Sequence, residues 1–209
     1  MRRTPEQPTA SSLLHLTEAD LASSAELADM RALQASGWTW RGVVLGSALE
    51  NQFYRLNNLP RRLAALFQGL DPADPDEDIV EEAEEDAVRL IAEHYLLDET
   101  VDAFYDALAR LPSEVVLRRA GSAEGRRAAY PRAALLELKQ LFQDDWRVDA
   151  LLDRMALTAS LAIDARPVII TSAAERLDPD ASERAGHALG RQVSVWLDES
   201  GAFTRVLTR

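Results

Sequence analysis

Apolar positions in the first three quarters of the chain recur every three or four residues, the spacing that places side chains on one face of a helix. Leu21, Ala25, Ala28 and Ala32 form the first stripe. Thr17 and Asp20 stand at capping-box spacing before it, with Leu16 and Leu21 placed as a hydrophobic staple, and Gly37 is a natural stop. Leu45, Leu49, Phe53 and Leu56 form a second stripe; the preceding Trp38, Trp40, Val43 and Val44 suit either its first turn or a short strand. Pro60 sits where a third helix would begin, with Leu63, Leu66 and Phe67 on its face and Gly69 after it. Ile79, Ala83, Ala87, Leu90 and Ile91 predict a helix over 79–95, and Asp98 caps another over 98–110 that carries Val101, Phe104, Tyr105 and Leu108. The stretch 110–132, broken by Pro112, Gly121, Gly125 and Pro131, reads as loop. Pro131 then fits the first turn of a helix through Leu135, Leu138 and Phe142, and a last long helix holds Val148, Leu151, Leu152 and Met155.

After Ala165 the period changes. Pro167 to Thr171 (PVIIT) is β-branched and apolar, the composition of a buried strand. Residues 179–190 read as a helix ended by Gly190; Val193, Val195 and Leu197 alternate as a strand does, and the turn 198–201 leads to a further strand from Phe203 to Leu207. The expectation is an α+β protein: a helical body of about six or seven helices and a small C-terminal β-α-β-β sheet. Residues 1–16 are expected to be a flexible polar tail, 17–163 the helical body, and 164–209 a βαββ subdomain packed on it.

Composition narrows the class. The 209 residues suit one domain with a small appendage, and 47% hydrophobic content supports a real core. With no cysteine there are no disulfides, thiol nucleophiles or thiolate metal sites. No apolar run is long enough for a membrane span, and no apolar segment follows Arg2 and Arg3 as a secretory signal requires. A cytoplasmic protein with no membrane partner is expected. Neither a Gly-rich phosphate loop nor the HExxH or GxSxG signatures occur.

Charge changes the picture most. Fifteen carboxylates lie between Asp71 and Asp106 against one base, Arg89, so this block carries −14 while the whole chain carries −12. The apolar stripe running through it makes the block a pair of amphipathic helices rather than a disordered tail. If the two pair antiparallel, Glu82 and Glu85 on one and Glu99 and Asp102 on the other, each pair one turn apart, face one another. Such oxygen-rich sites suit Mg²⁺ or Mn²⁺; without a cation the block is an acidic docking surface or a solvated face. His94, near this face, is a further candidate ligand.

The text IVEEAEEDAVRLI (79–91) followed by DETVDAFYDAL (98–108) resembles the ExxE…ExxD metal helices of the MazG-like all-α nucleoside triphosphate pyrophosphatases. The resemblance is confined to these segments. It implies that Glu82, Glu85, Glu99 and Asp102 hold Mg²⁺, which activates water against a nucleotide's phosphates. The C-terminal β-strands are foreign to that family.

Six arginines between Arg110 and Arg132 follow the acidic block. Arg118, Arg119, Arg126 and Arg127 suit phosphate or nucleic-acid binding, or else fold against the acidic helices or a second subunit. Trp196, opposite in phase to Val193, Val195 and Leu197, and Phe203 on the following strand are interface candidates. Ser172 after the buried strand and His187 on the C-terminal helix are weaker pointers to chemistry. The leading expectation is a non-enzymatic binding or regulatory protein, without a cofactor, that meets a protein partner or a second copy of itself. The alternatives are the Mg²⁺-dependent pyrophosphohydrolase and a nucleic-acid-binding protein using the arginine segment.

Overall fold

The computed structural model describes residues 11–14, 18–129 and 131–208. Strand β1 (Ser11–Leu14) leads through α1 (Glu18–Ser23) and α2 (Ala25–Ala35) to β2 (Gly42–Leu45). Four helices follow: α3 (Ser47–Leu56), α4 (Leu59–Leu66), α5 (Glu77–Ala92) and α6 (Asp98–Leu108). A hairpin of β3 (Glu114–Arg119) and β4 (Arg126–Ala129) precedes α7 (Arg132–Asp144) and α8 (Val148–Thr158). The remaining elements are β5 (Val168–Ser172), β6 (Glu175–Leu177), α9 (Pro179–Leu189), β7 (Val193–Asp198) and β8 (Phe203–Thr208). The class is α+β, with nine helices among the described residues.

Local side-chain caps set three of the helix starts. Ser24 accepts the Leu27 amide at 3.3 Å to cap α2, Asp76 accepts Asp78 N at 3.1 Å to cap α5, and Asp178 accepts Ala181 N at 2.8 Å to cap α9. Helix α3 begins after Gly46, which has no side chain to offer; the carboxylate of Asp20, from α1, accepts the Ser47 amide at 3.1 Å instead. Asp20 therefore caps a helix distant in sequence. Thr17 and Leu16, its expected capping partners, lie outside the described residues, as do His15 and most of the expected tail; Ser11–Leu14 within that tail forms β1.

Four antiparallel strands run in the order β2-β5-β3-β4, and β1 adds parallel to the free edge of β2. A second, antiparallel sheet has the order β6-β7-β8. The two are stitched where residues 39–41 meet the start of β8: Phe203 N donates to Thr39 O at 2.9 Å, and Trp40 bridges Phe203 in parallel.

The larger sheet is covered on both faces. Val43, Leu45, Val115, Leu117, Val168 and Ile170 face a core closed by α3 to α8. Val44 and Ile169 face the other way, onto α2, α9 and the smaller sheet through Leu27, Leu33, Ala181, Val195 and Phe203. A strand buried on both faces reads as a continuous apolar run, whereas one with a wet face alternates. That is the difference between PVIIT in β5, buried throughout, and the alternating β7.

Two expectations change, and one open choice is settled. The strand at 168–172 is central in the larger sheet instead of opening the C-terminal unit, which is the separate sheet β6-β7-β8 laid against α9. The segment 110–132 is not a loop: most of it is the β3–β4 hairpin, held by four register pairs from Glu114↔Ala129 to Leu117↔Arg126. Residues 42–45 resolve the open choice as a strand. Among the described residues, no helix is long and apolar enough to cross a membrane.

Gly42 is required by close packing. A methyl group there would stand 2.5 Å from Trp40 Cζ2 and 2.8 Å from the Ile170 carbonyl oxygen, and neither a buried indole nor a central strand can yield cheaply. Gly42→Ala is therefore expected to lower stability by about 1–3 kcal/mol, overriding the gain of about 0.4–1 kcal/mol from restricting the unfolded chain. Urea unfolding should show a lower midpoint at unchanged slope.

Candidate functional site

The acidic block forms α5, the turn after it and α6. On α5, Val80, Ala83, Ala87, Leu90 and Ile91 are buried, which turns Glu81, Glu82, Glu85 and Asp86 outward to solvent. Val80 rather than Ile79 begins the buried stripe. On α6, Phe104, Ala107 and Leu108 are buried while Glu99, Asp102 and Asp106 are exposed. The ion pairs seen on α5 are Arg89 with Glu85 and Asp86, and Arg147 with Glu84 at 2.9 Å. Like-charged neighbours such as Glu81 with Glu85 cost about 0.2–0.5 kcal/mol each. Burying one Val, Leu or Ile stabilises by about 1.5–3 kcal/mol, so the apolar stripe carries the helix without a counter-ion.

The four nominated metal ligands do not converge. Helix α5 packs on α4, α7 and α8, while α6 lies against β1, so the two are not the side-by-side pair that Glu82, Glu85, Glu99 and Asp102 would need. Among the described residues no group of three or more His, Asp or Glu side chains is arranged to hold a metal ion. His94 is engaged elsewhere: Nδ1 donates to the Leu90 carbonyl at 2.6 Å and Nε2 accepts from Arg62 at 2.7 Å.

The arginine segment is built inward. Arg118 and Arg119 are consecutive on β3, so they leave opposite faces of the sheet. Arg118, 1% exposed, meets Glu26 of α2 end-on with both terminal nitrogens, one at 2.6 Å, and Gly121 N donates to the same carboxylate at 2.8 Å. Arg119 meets Glu50 of α3 at 2.7 and 2.8 Å, and also Asp145 and the carbonyls of Arg166 and Leu141. Arg126 grips Asp144 at 2.8 Å with two nitrogens and reaches Glu137 at 3.3 Å. Of the four nominated phosphate ligands, only Arg127 is exposed; Arg118 and Arg119 are enclosed and turned onto carboxylates, which removes the phosphate-binding role expected of them. Arg118, Arg119 and Arg126 do fold onto acids, but onto Glu26, Glu50, Asp144, Asp145 and Glu137 rather than the acidic block.

Burial governs the ionisation of this network. It pushes the Glu50 carboxyl above its usual range, with the Arg119 guanidinium pulling it back and Asp145 pushing it further up. Burial opposes the charge of Arg119 too, but Glu50 and Asp145 outweigh it and hold the guanidinium protonated. The Tyr54 phenol, deep in the same core, is pushed well up by burial and then by Glu50; it accepts Trp146 Nε1 at 2.7 Å. These groups are largely buried, and Arg119 and Asp145 reach the wall of a cleft that Arg126, Asp144 and Arg166 also line.

The interface candidates separate. Phe203 is fully buried, edge-on to Trp38 at 6.4 Å, where the two sheets are stitched; it is core rather than surface. Trp196 is half-buried, with the Arg205 guanidinium 4.3 Å above its ring. Ser172 is buried and accepts the Ala174 amide at 3.1 Å, while His187 is exposed beside Glu183, so neither completes a nucleophile–base pair. The sequence pattern missed the buried acids Glu26, Glu50 and Asp145, whose partners lie up to 116 positions away. It also missed Leu56, Tyr95 and Leu97, which are exposed around one cleft.

Neither a protein-family model nor a curated protein matches this sequence.

The Arg118–Glu26 pair yields a direct test. Arg118→Met strands a buried carboxylate and is expected to cost about 3–5 kcal/mol. Adding Glu26→Gln removes the stranded charge yet keeps an acceptor for Gly121 N–H, so the double variant should recover most of the loss in urea unfolding.

Proposed function

We propose that this is a non-enzymatic binding protein that docks a positively charged partner on the exposed acidic face of α5 and α6. The observation that supports this most is where the charges lie. Three of the six arginines that follow the acidic block, Arg118, Arg119 and Arg126, pair with Glu26, Glu50, Asp144 and Asp145, which lie outside the block, so none of these three offsets its surface charge. A concentrated field of one sign on a rigid, well-buried scaffold raises the local concentration of an oppositely charged partner and its rate of encounter. Single exposed ion pairs contribute little, about 0–1 kcal/mol, so the face acts through many weak contacts rather than one.

The test is titration with polylysine at rising salt. The wild-type protein should bind with affinity that falls steeply as salt rises, because exposed charges are screened within about 8 Å at physiological ionic strength. A variant carrying Glu81→Gln, Glu82→Gln and Glu85→Gln should bind more weakly and with a shallower salt dependence, at unchanged thermal stability. Equal binding by both proteins would remove the acidic face from the function. Saturable Mg²⁺ heat in calorimetry that Glu82→Gln and Asp102→Asn abolish would favour the pyrophosphohydrolase reading instead.

A further inference from the structure

Six large apolar side chains are exposed among the described residues, and three of them line one cleft. Leu56 at the end of α3 is 52% exposed, and Tyr95 and Leu97 in the turn between α5 and α6 are 79% and 45% exposed. Scattered exposed leucines are ordinary, whereas apolar groups gathered on one concave spot mark contact sites. The cleft holds about 100 Å³ and is floored by Leu49 and Phe53 of the core. At about 100 Å³ it is smaller than the roughly 300–1,000 Å³ of small-molecule sites, a size that suits a single side chain.

The walls are fixed before any partner arrives. Asn57 donates through one amide nitrogen to Phe53 O at 2.9 Å and Tyr95 O at 3.1 Å, tying the turn to the end of α3. Lys139 caps the Ala92 carbonyl at 2.6 Å and stacks its ammonium 5.2 Å from the centre of the Tyr95 ring. A preformed pocket binds with less ordering loss than a mobile one.

The rim is acidic. Asp98 and Glu99 lie between Leu97 and Thr100, both of which line the cleft, and exposed Glu93 closes α5 just before Tyr95. Asp102 follows one turn along α6. The cations nearby are Arg55, Arg62 and Lys139; Arg62 is hydrogen-bonded to His94, and Lys139 is held as above.

We propose that this cleft seats one apolar side chain of a cationic amphipathic segment of a partner protein, whose flanking lysines or arginines meet the acidic rim. This inference rests on the acidic-docking reading and adds to it an anchor and a place. A second copy of the chain is a poorer occupant, since it would bring the same carboxylates against the rim.

Two fluorescein-labelled peptides of equal positive charge test it by anisotropy: lysines with leucines at helical spacing, and the same peptide with alanine for leucine. The wild-type protein should bind the leucine peptide about tenfold more tightly. In the variant carrying Tyr95→Ala and Leu97→Ala that preference should vanish, while the weaker, salt-sensitive binding common to both peptides stays. Leu56→Ala should lose part of the preference, and because all three side chains are exposed, circular dichroism should match the wild type. Equal affinity for the two peptides on the wild type, or a preference that survives in the double variant, overturns the anchor but leaves acidic docking standing. Binding of neither peptide overturns both. A wild-type dimer in sedimentation that Leu97→Asp dissociates would reassign the cleft to self-association and so overturn the proposal.

Discussion

Two adjacent residues on one strand hold the layers of this protein together. Because side chains alternate along a strand, Arg118 and Arg119 enter opposite cores, and each is clamped by a carboxylate from the helix on its own side. Helix α2 must therefore present Glu26 to one face of the sheet, and α3 must present Glu50 to the other. Both arginines lie opposite the central strand, Arg118 against Ile169 and Arg119 against Val168, so the clamp also fixes the register of β3 on β5. Desolvating such groups nearly cancels their attraction, so the apolar cores supply most of the stability. The ion pairs penalise any arrangement in which a buried charge loses its partner, and that penalty is what orients α2 and α3.

Local pattern made the helices legible. Most of the stripes on α5, α7 and α8 and the glycine after α9 lie where the sequence places them, because each needs only residues within one or two turns. Of the stripe expected for α3 only Leu49 and Phe53 are buried in that helix, Leu45 being in β2 and Leu56 exposed. The β3–β4 hairpin was hidden by its own arginines. Val115 and Leu117 alternate with Val116 and Arg118, but two consecutive arginines read as solvent-facing unless their carboxylates are known. Those carboxylates lie 92 and 69 positions away, where no periodicity connects them to β3. The parallel pairing of β1 with β2, across two intervening helices, was hidden for the same reason.

The same limit applies to the candidate site. The sequence placed the carboxylates on two amphipathic helices, and the structure keeps them exposed there. Whether the helices lie side by side is a tertiary question, and here α5 packs on α4, α7 and α8 instead. The carboxylate spacing 82, 85, 99, 102 recurs in any acidic helical pair, so it carries information only when the axes run together. The cleft at Leu56, Tyr95 and Leu97 was likewise invisible, since its walls come from the end of one helix and the turn between two others.

Charge and apolar surface would divide the work of binding between them. A field from exposed carboxylates acts over a Debye length and speeds encounter, but each contact is weak and screened, so alone it gives a complex that forms and dissolves quickly. An apolar side chain seated in a preformed cleft acts only on contact and slows dissociation. On this protein the two lie at neighbouring ends of the same helices: the acids run along α5 and α6, and the cleft opens at the turn that joins them. A partner drawn in along the helices would meet the anchor where the acidic face changes direction, and affinity there would depend on fit as much as on charge. On the proposed reading that arrangement would select a segment with both features, and it would give a uniformly basic chain no hold beyond the field.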